Sequence, residues 1–331
     1  MIKSNFKFID LFAGIGGMRL AFERNDCECV FSSEWDKHSQ KTYTENFGDI
    51  PAGDITQIDT KEIPNHNILI GGFPCQPFST IGKRQGFEHP TQGTLFFDIV
   101  RILKDKNPEA FLLENVPGLL THDKGRTFKQ IIDTLENELQ YKVTTNILNA
   151  SNFGVPQNRK RIYIVGFNKN LYKAGNASFF WPRQQLKKVG IGQFVEQHKT
   201  GYSISKHLQG SYIYKKDDGR PQVIDKTSNI QVKTLVSTYH KIQRLTGTFV
   251  RDGETDLRLL SENECKAIMG FPKSFKIPVS RTQMYRQMGN SVAIPVVQAI
   301  AKEMVTTLKQ INSGKEQKNF DQKDIIQVAS I

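Results

Sequence analysis

The first 167 residues of this 331-residue chain alternate between short apolar runs and amphipathic stretches, and this alternation constrains the fold most. Apolar runs at Phe6 to Phe12, Glu28 to Ser32, Ile68 to Gly71, Ala110 to Glu114, Lys142 to Leu148 and Ile162 to Phe167 read as strands. Between them Met18 to Arg24, Leu95 to Lys104 and Thr127 to Leu139 carry apolar positions three or four apart, the helical period. Such alternation predicts an α/β fold with a mostly parallel sheet and helices on both faces.

The texture changes after Phe167. Asn168 to Pro182 reads as a linker, and the chain to about Arg251 is rich in Gly, Lys, Tyr and β-branched residues. This is expected to be a smaller strand-and-loop domain, with Val232 to Tyr239 its best strand. Ser261 to Met269 is a helix with a capping box, Ser261 at the cap and Glu264 three residues on. Val292 to Lys309 is a long amphipathic helix, and the polar stretch from Asn312 is expected to fray. No internal repeat is visible.

Composition removes several classes. Hydrophobic residues at 38% and aromatics at 10% can bury a core, so disorder of the whole chain is excluded. No apolar run reaches the ~18 residues of a membrane span, and Met1 to Asp10 lacks a secretory layout. Cys27, Cys29, Cys75 and Cys265 are too few for a disulfide scaffold, and no metal-ligand spacing is present, so no metal is expected. A reducing cytoplasm is the default. The net charge is +12; Asn168 to Leu257 carries 15 basic and 7 acidic residues, two-thirds of the excess in about a quarter of the chain. A concentrated excess suits a surface that neutralises phosphates.

Asp10-Leu11-Phe12-Ala13-Gly14-Ile15-Gly16-Gly17 stands where the first strand turns into the first helix. Gly14, Gly16 and Gly17 let backbone approach a ligand, and a helix N-terminus supplies donors. Glu34 follows the second strand, where an acid can accept both ribose hydroxyls of a nucleoside. Trp35 offers a flat face for adenine, and Asp54 an acceptor for its amino group. A dinucleotide oxidoreductase is the rival, but its fingerprint wants glycine where this chain has Arg19. The order of these residues favours an adenosine-containing cofactor.

Gly72-Phe73-Pro74-Cys75-Gln76 follows the third strand. A lone cysteine is usually an inert buried hydrophobe. Cys75, however, sits in a Gly/Pro-punctuated loop at the carboxyl end of a strand, where α/β enzymes place their chemistry. Glu114 ends another strand beside the same cleft. Arg159 and Arg161, two apart on a strand-like segment, are expected to point one way together.

These blocks, with Arg258-Leu259-Leu260, Glu264-Cys265, Gly270-Phe271-Pro272 and Gly289-Asn290-Ser291-Val292, stand in the order found in DNA cytosine-5 methyltransferases. The chain resembles the compact bacterial restriction–modification members of that family from residue 6 to about 300. The resemblance implies a Rossmann-like S-adenosylmethionine-dependent fold plus a target-recognition domain. The large domain would be discontinuous, 1–180 and 285–311, around a recognition domain at 181–284, with a polar tail at 312–331. It further implies that S-adenosyl-L-methionine is held by Phe12, Glu34, Trp35, Asp54, Pro74, Leu95, Asn290 and Ser291. Cys75 would be the nucleophile, Glu114 would meet N3 of cytosine, and Arg161, with Arg159 nearby, would hold O2. Ile81 stands where some relatives carry a small polar residue.

The implied chemistry suits the residues. A thiolate adding to carbon 6 makes carbon 5 of cytosine nucleophilic, and the base must first leave the duplex. Lys215, Lys216, Lys241 and Arg244 are candidate phosphate contacts, and Ser79 and Thr234 further DNA contacts. Arg220, Gln222, Arg244 and Arg251 are candidates for reading bases, since arginine suits guanine and glutamine adenine. Double-stranded DNA is the expected partner of a monomeric enzyme, with a restriction endonuclease acting on the same site. The alternatives are a transfer-RNA cytosine-5 methyltransferase of the same family and a catalytically dead DNA-binding module.

Overall fold

The computed structural model of the chain describes residues 6–73, 95–174, 177–185 and 187–328, without the side chains at 173, 174 and beyond 313. The first part runs β1 (Lys7–Leu11), α1 (Gly17–Glu23), β2 (Glu28–Ser33), α2 (Lys37–Phe47), β3 (Ile68–Gly72), α3 (Phe96–Lys106), β4 (Ala110–Asn115), α4 (Arg126–Asp133), β5 (Tyr141–Asn149), β6 (Lys160–Asn168) and α5 (Lys169–Ala174). The second contains α6 (Lys206–Leu208), β7 (Gln222–Ile224), β8 (Thr248–Val250), α7 (Glu262–Met269), α8 (Arg281–Asn290) and α9 (Ile294–Val328).

Among the described residues six strands form one mixed sheet in the order β2-β1-β3-β4-β6-β5. β1 to β4 are parallel, and β6 runs antiparallel to both its neighbours. Every residue of β4 is buried, as expected of an apolar strand covered on both faces. One face presents Phe8, Ile68, Ile70 and Leu112 to a core shared with α1 and α9; the other presents Ile9, Leu69, Phe111 and Leu113 to α3 and α4. All six strands read from the sequence are present, shifted by at most two residues at an end. Strand order reverses at β1, which has β2 on one side and β3 on the other. A crevice opens at such a reversal, beyond the carboxyl ends of the strands.

Three expectations change. Val232 to Tyr239 is not a strand: Val232 alone makes an isolated bridge, to Gln157, and Leu235 N–H donates to the Gln157 side chain at 2.8 Å. Val232, Leu235 and Tyr239 are buried by packing instead of by a ladder, which local propensity cannot distinguish. The 168–182 stretch is no free linker, because it forms α5 and then lays Phe179 and Trp181 on the sheet, with Trp181 Nε1 donating to Thr144 Oγ1 at 3.1 Å. The polar tail continues α9 as helical backbone to Val328. In addition, α8 crosses the 284/285 boundary. By length and composition the 281–313 stretch could also span a membrane, but 61% of its apolar window is buried in this fold, as in a core helix.

With only two three-residue strands, β7 and β8, the second part relies on side-chain bonding. Arg258 is fully buried and donates to both oxygens of the equally buried Glu264, at 2.8 and 2.9 Å, and to Asp252 at 2.9 Å. Its remaining bonds reach the carbonyls of Leu259 and Glu196. Glu264 also closes the expected capping box with Ser261 on α7. Removing the charge from Glu264 would leave Arg258 buried and under-paired. Glu264→Gln is therefore expected to cost about 3–5 kcal/mol, read as a lowered urea midpoint with the slope unchanged.

Candidate active site

The crevice at the reversal is a cleft of about 550 Å³ walled by the ends of β1, β2, β3 and β4, by Arg159 and Arg161, and by the α8–α9 junction. Phe12 closes β1 with a φ of 56°, a left-handed conformation a non-glycine residue adopts only where its surroundings impose it. Gly14 N–H donates to Glu34 Oε2 at 2.7 Å, and Glu34 Oε1 accepts from Asp36 N–H at 2.8 Å, so the acid ties β1 to β2. Burial raises the Glu34 pKa against these bonds. Trp35 is 75% exposed at the rim, a ring face without a covering residue among the described residues. Gly17 faces Ser291, whose Oγ would stand 2.7 Å from any Cβ placed there. A side chain at that position would displace the Ser291 hydroxyl and press on Val292.

Phe12, Gly14, Gly17, Glu34, Trp35, Leu95, Asn290 and Ser291 all line the cleft. Gly16 caps α1 from a left-handed conformation and lies behind the wall. Asp54 is not on the wall either: its exposed carboxylate caps a short turn by accepting from Thr56 N–H at 3.0 Å. Pro74, Cys75, Ser79 and Ile81 lie outside the described residues. Arg19, the residue out of place for a dinucleotide fingerprint, is a buried post. Its guanidinium pairs with Glu23 at 2.7 Å and Asp49 at 2.5 Å, donates to Tyr43, and stacks over Phe47.

At the far end of the cleft Glu114 Oε1 meets Arg161 Nε at 2.9 Å. Burial pushes the Glu114 pKa up, opposed by Arg161 and Arg159, so this carboxyl holds a proton more readily than an exposed glutamate. Asn115 braces the end of β4 by donating to Phe73 O at 3.0 Å. Arg159 departs from the paired reading. It is 3% exposed, and its Nη atoms donate to the carbonyls of Leu235 (3.0 Å), Gly289 (3.0 Å) and Ser291 (2.5 Å), which leaves Nε without a partner among the described residues. Burial with Arg161 alongside lowers its pKa to about 9, still a cation at neutral pH.

The family model for C-5 cytosine-specific DNA methylases matches residues 6–306. The chain belongs to that family. It is 60% identical to the type II methyltransferase M.MspI of a Moraxella species over 319 residues, 96% of this chain and 75% of the relative. It is 43% identical to M.HpaII of Haemophilus parainfluenzae over 93% of this chain and 91% of the relative. Among solved structures, a DNMT2 variant from Spodoptera frugiperda superposes with a TM-score of 0.71 at 24% identity, covering 93% of this chain and 99% of that one. A putative DNA modification methyltransferase of an Escherichia coli prophage gives 0.64 at 21%, covering 92% and 100%. The mixed sheet is thus the Rossmann-like fold of this methylase family, whose members use S-adenosylmethionine.

Several expected DNA contacts have other work in this methylase. Arg244 is buried, paired with Asp218 and bonded to the carbonyls of Ile213, Lys216 and Arg220, so its donors are taken up within the protein. Gln222 is likewise spent, bonding Gln231 O, Lys233 N–H and Thr248 Oγ1. Thr234 Oγ1 donates to Asn158 O at 2.6 Å. Lys215, Lys216, Arg220, Lys241 and Arg251 are exposed and keep their place as candidates.

The sequence reading missed Asp10. This residue is 1% exposed, lines the cleft, and has no partner for either carboxylate oxygen among the described residues. Its signal was an acid inside an otherwise apolar strand. Burial pushes its pKa up to about 8 from 3.8, so the folded state holds this proton more tightly than the unfolded chain does. That contribution to stability is complete below about pH 4 and is lost as pH rises through about 8. Asp10→Asn should match the parent near pH 4 and exceed it by ~2–5 kcal/mol at pH 8.5 without cofactor. Urea melts at the two pH values check the crossing.

Proposed function

We propose that this methylase transfers a methyl group to carbon 5 of a cytosine within a short duplex DNA sequence, as the modifying half of a restriction–modification system. The observation that carries the reading is the single cleft that sets the Glu114–Arg161 pair opposite a nucleoside-shaped wall. S-Adenosylmethionine fits that wall. Glu34 stands where ribose hydroxyls need an acceptor, the Trp35 face is free for adenine, and the Gly14–Gly17 turn admits backbone closely. Leu95, Asn290 and Ser291 complete the wall, with Pro74 joining by family resemblance. The unpartnered Asp10 offers an acidic group for a cationic end of the ligand. When bound, the cofactor supplies an electrophilic methyl on sulfur.

The chain's own residues prepare the cytosine. Cys75 adds as thiolate to carbon 6, which shifts electron density to carbon 5. Glu114, with its raised pKa, donates a hydrogen bond or proton at N3 and stabilises the charge that develops there. Arg161 holds Glu114 in place and presents a donor to O2. Loss of the carbon 5 proton then expels Cys75. The base reaches the cleft by leaving the helix, at a cost of a few kcal/mol offset by backbone contacts. Exposed Lys215, Lys216, Arg220, Lys241 and Arg251 belong to the segment 181–284, which we take as the target-recognition part. Residues 1–180 and 285–311 form the catalytic body. One methyl transfer to one strand needs one subunit, so the enzyme works as a monomer alongside an endonuclease that cuts the same site.

Expression in a host without cytosine-5 methylation, followed by conversion sequencing, tests the reading. One short motif should become methylated nearly everywhere, and the Cys75→Ser variant should leave the DNA clean. Glu114→Gln should lower kcat by ~10²–10⁴-fold with little change in the KM for S-adenosylmethionine. A folded, cofactor-binding protein that leaves host DNA unmodified overturns the DNA reading, and host RNA becomes the substrate to assay.

A further inference from the structure

Arg159 joins two parts of the molecule that the proposed reaction uses separately. Gly289 and Ser291, whose carbonyls it holds, line the cofactor end of the cleft together with Asn290. Leu235, its third acceptor, belongs to the recognition part and follows Thr234. The two backbones touch directly beside this bond. A Cβ on Gly289 would stand 2.2 Å from Ser237 N and 2.3 Å from Val236 C, so only glycine allows the approach. The segment is tied from its other side as well, since Leu235 N–H donates to Gln157 Oε1 at 2.8 Å and Gln157 Nε2 to Ile268 O at 2.8 Å.

We infer that Arg159 is a positioning residue that couples cofactor occupancy to the recognition segment 234–238, so that each ligand tightens the other. This rests on the cofactor and DNA assignments proposed above. The guanidinium fork fixes three carbonyls in one geometry, and no other side chain offers donors in that arrangement. A ligand that orders residues 289–291 therefore also orders Leu235 through Arg159. Coupling between two binding sites is reciprocal by thermodynamic necessity. Any displacement of 234–238 on meeting DNA bears on the cofactor wall through the same three bonds.

Two measurements test this. In the free wild-type enzyme, S-adenosylhomocysteine should slow hydrogen exchange of the 234–238 amides by at least ~5-fold. It should also tighten binding of a duplex carrying the methylated motif by roughly 5–100-fold. In Arg159→Lys, which keeps the charge but cannot hold three carbonyls, that tightening should fall toward one. A residue that only stabilises the fold would weaken both affinities and leave their ratio intact. Gly289→Ala leaves the Arg159 side chain in place but forces apart the backbones it joins, and should lower the ratio too, which covers an Arg159→Lys protein that does not fold. Unchanged exchange at 234–238 while S-adenosylhomocysteine is bound overturns the inference and leaves the methyltransferase reading standing. Failure of S-adenosylhomocysteine to bind the wild type overturns both.

Discussion

Backbone carbonyls outside regular structure must find donors, and in the second half of this chain buried guanidinium groups supply them. Arg258 reaches the carbonyls of Leu259 and Glu196, Arg244 those of Ile213, Lys216 and Arg220, and Arg159 those of Leu235, Gly289 and Ser291. A planar fork with five donors can cross-link several chain segments at one point, as a short strand cannot. Acids share the work, with Glu264 and Asp252 on Arg258 and Asp218 on Arg244. The second part of the chain is thus held by a few charged nodes, between which surface loops can vary in sequence without disturbing the frame.

The first part of the chain follows another rule. There a continuous sheet does the positioning, and the cleft inherits its precision from strand ends in register. Glu114 pairs with Tyr163 across β4 and β6, and Gly72 with Glu114 across β3 and β4. The acid is therefore fixed by main-chain hydrogen bonds on both sides before any side-chain contact is made. The α8–α9 junction closes the cleft from sequence far downstream, so the site forms only when both ends of the chain have folded together.

Much of this was legible in the sequence. The six strands were visible because buried strands are written as apolar runs, and the capping box of Ser261 and Glu264 is a local code with a local meaning. The residues that gather on one wall of the cleft were legible because glycine turns and an acid after the second strand are ordered by topology. The errors fall where local signals are ambiguous. An arginine in a basic, loop-rich segment reads as a nucleic-acid contact, yet Arg244 spends its donors on carbonyls and Asp218, and Arg159, read as pointing with Arg161, spends its own on three carbonyls. Gln222, read as a base contact, is bonded within the protein in the same way. Asp54 reads as an adenine partner, and a carboxylate two residues before an amide also makes a turn cap, which is the bond its Oδ1 makes here. The Val232 to Tyr239 run has strand composition without a strand neighbour, which only tertiary structure supplies. Asp10 was overlooked because nothing in a sequence states that a carboxyl will lack a partner.

The exposed ring of Trp35 carries a consequence for how the enzyme can be watched. The chain has two tryptophans. Trp181 is partly buried, packed edge-on to Phe179 and bonded to Thr144, whereas Trp35 lies open to water at the mouth of the cleft. Most of the solvent-sensitive part of the intrinsic fluorescence therefore arises from a single indole at the mouth of the cleft. Any aromatic ligand that settles on that ring would quench and shift its emission, which gives the native protein a built-in optical signal of occupancy with no label attached.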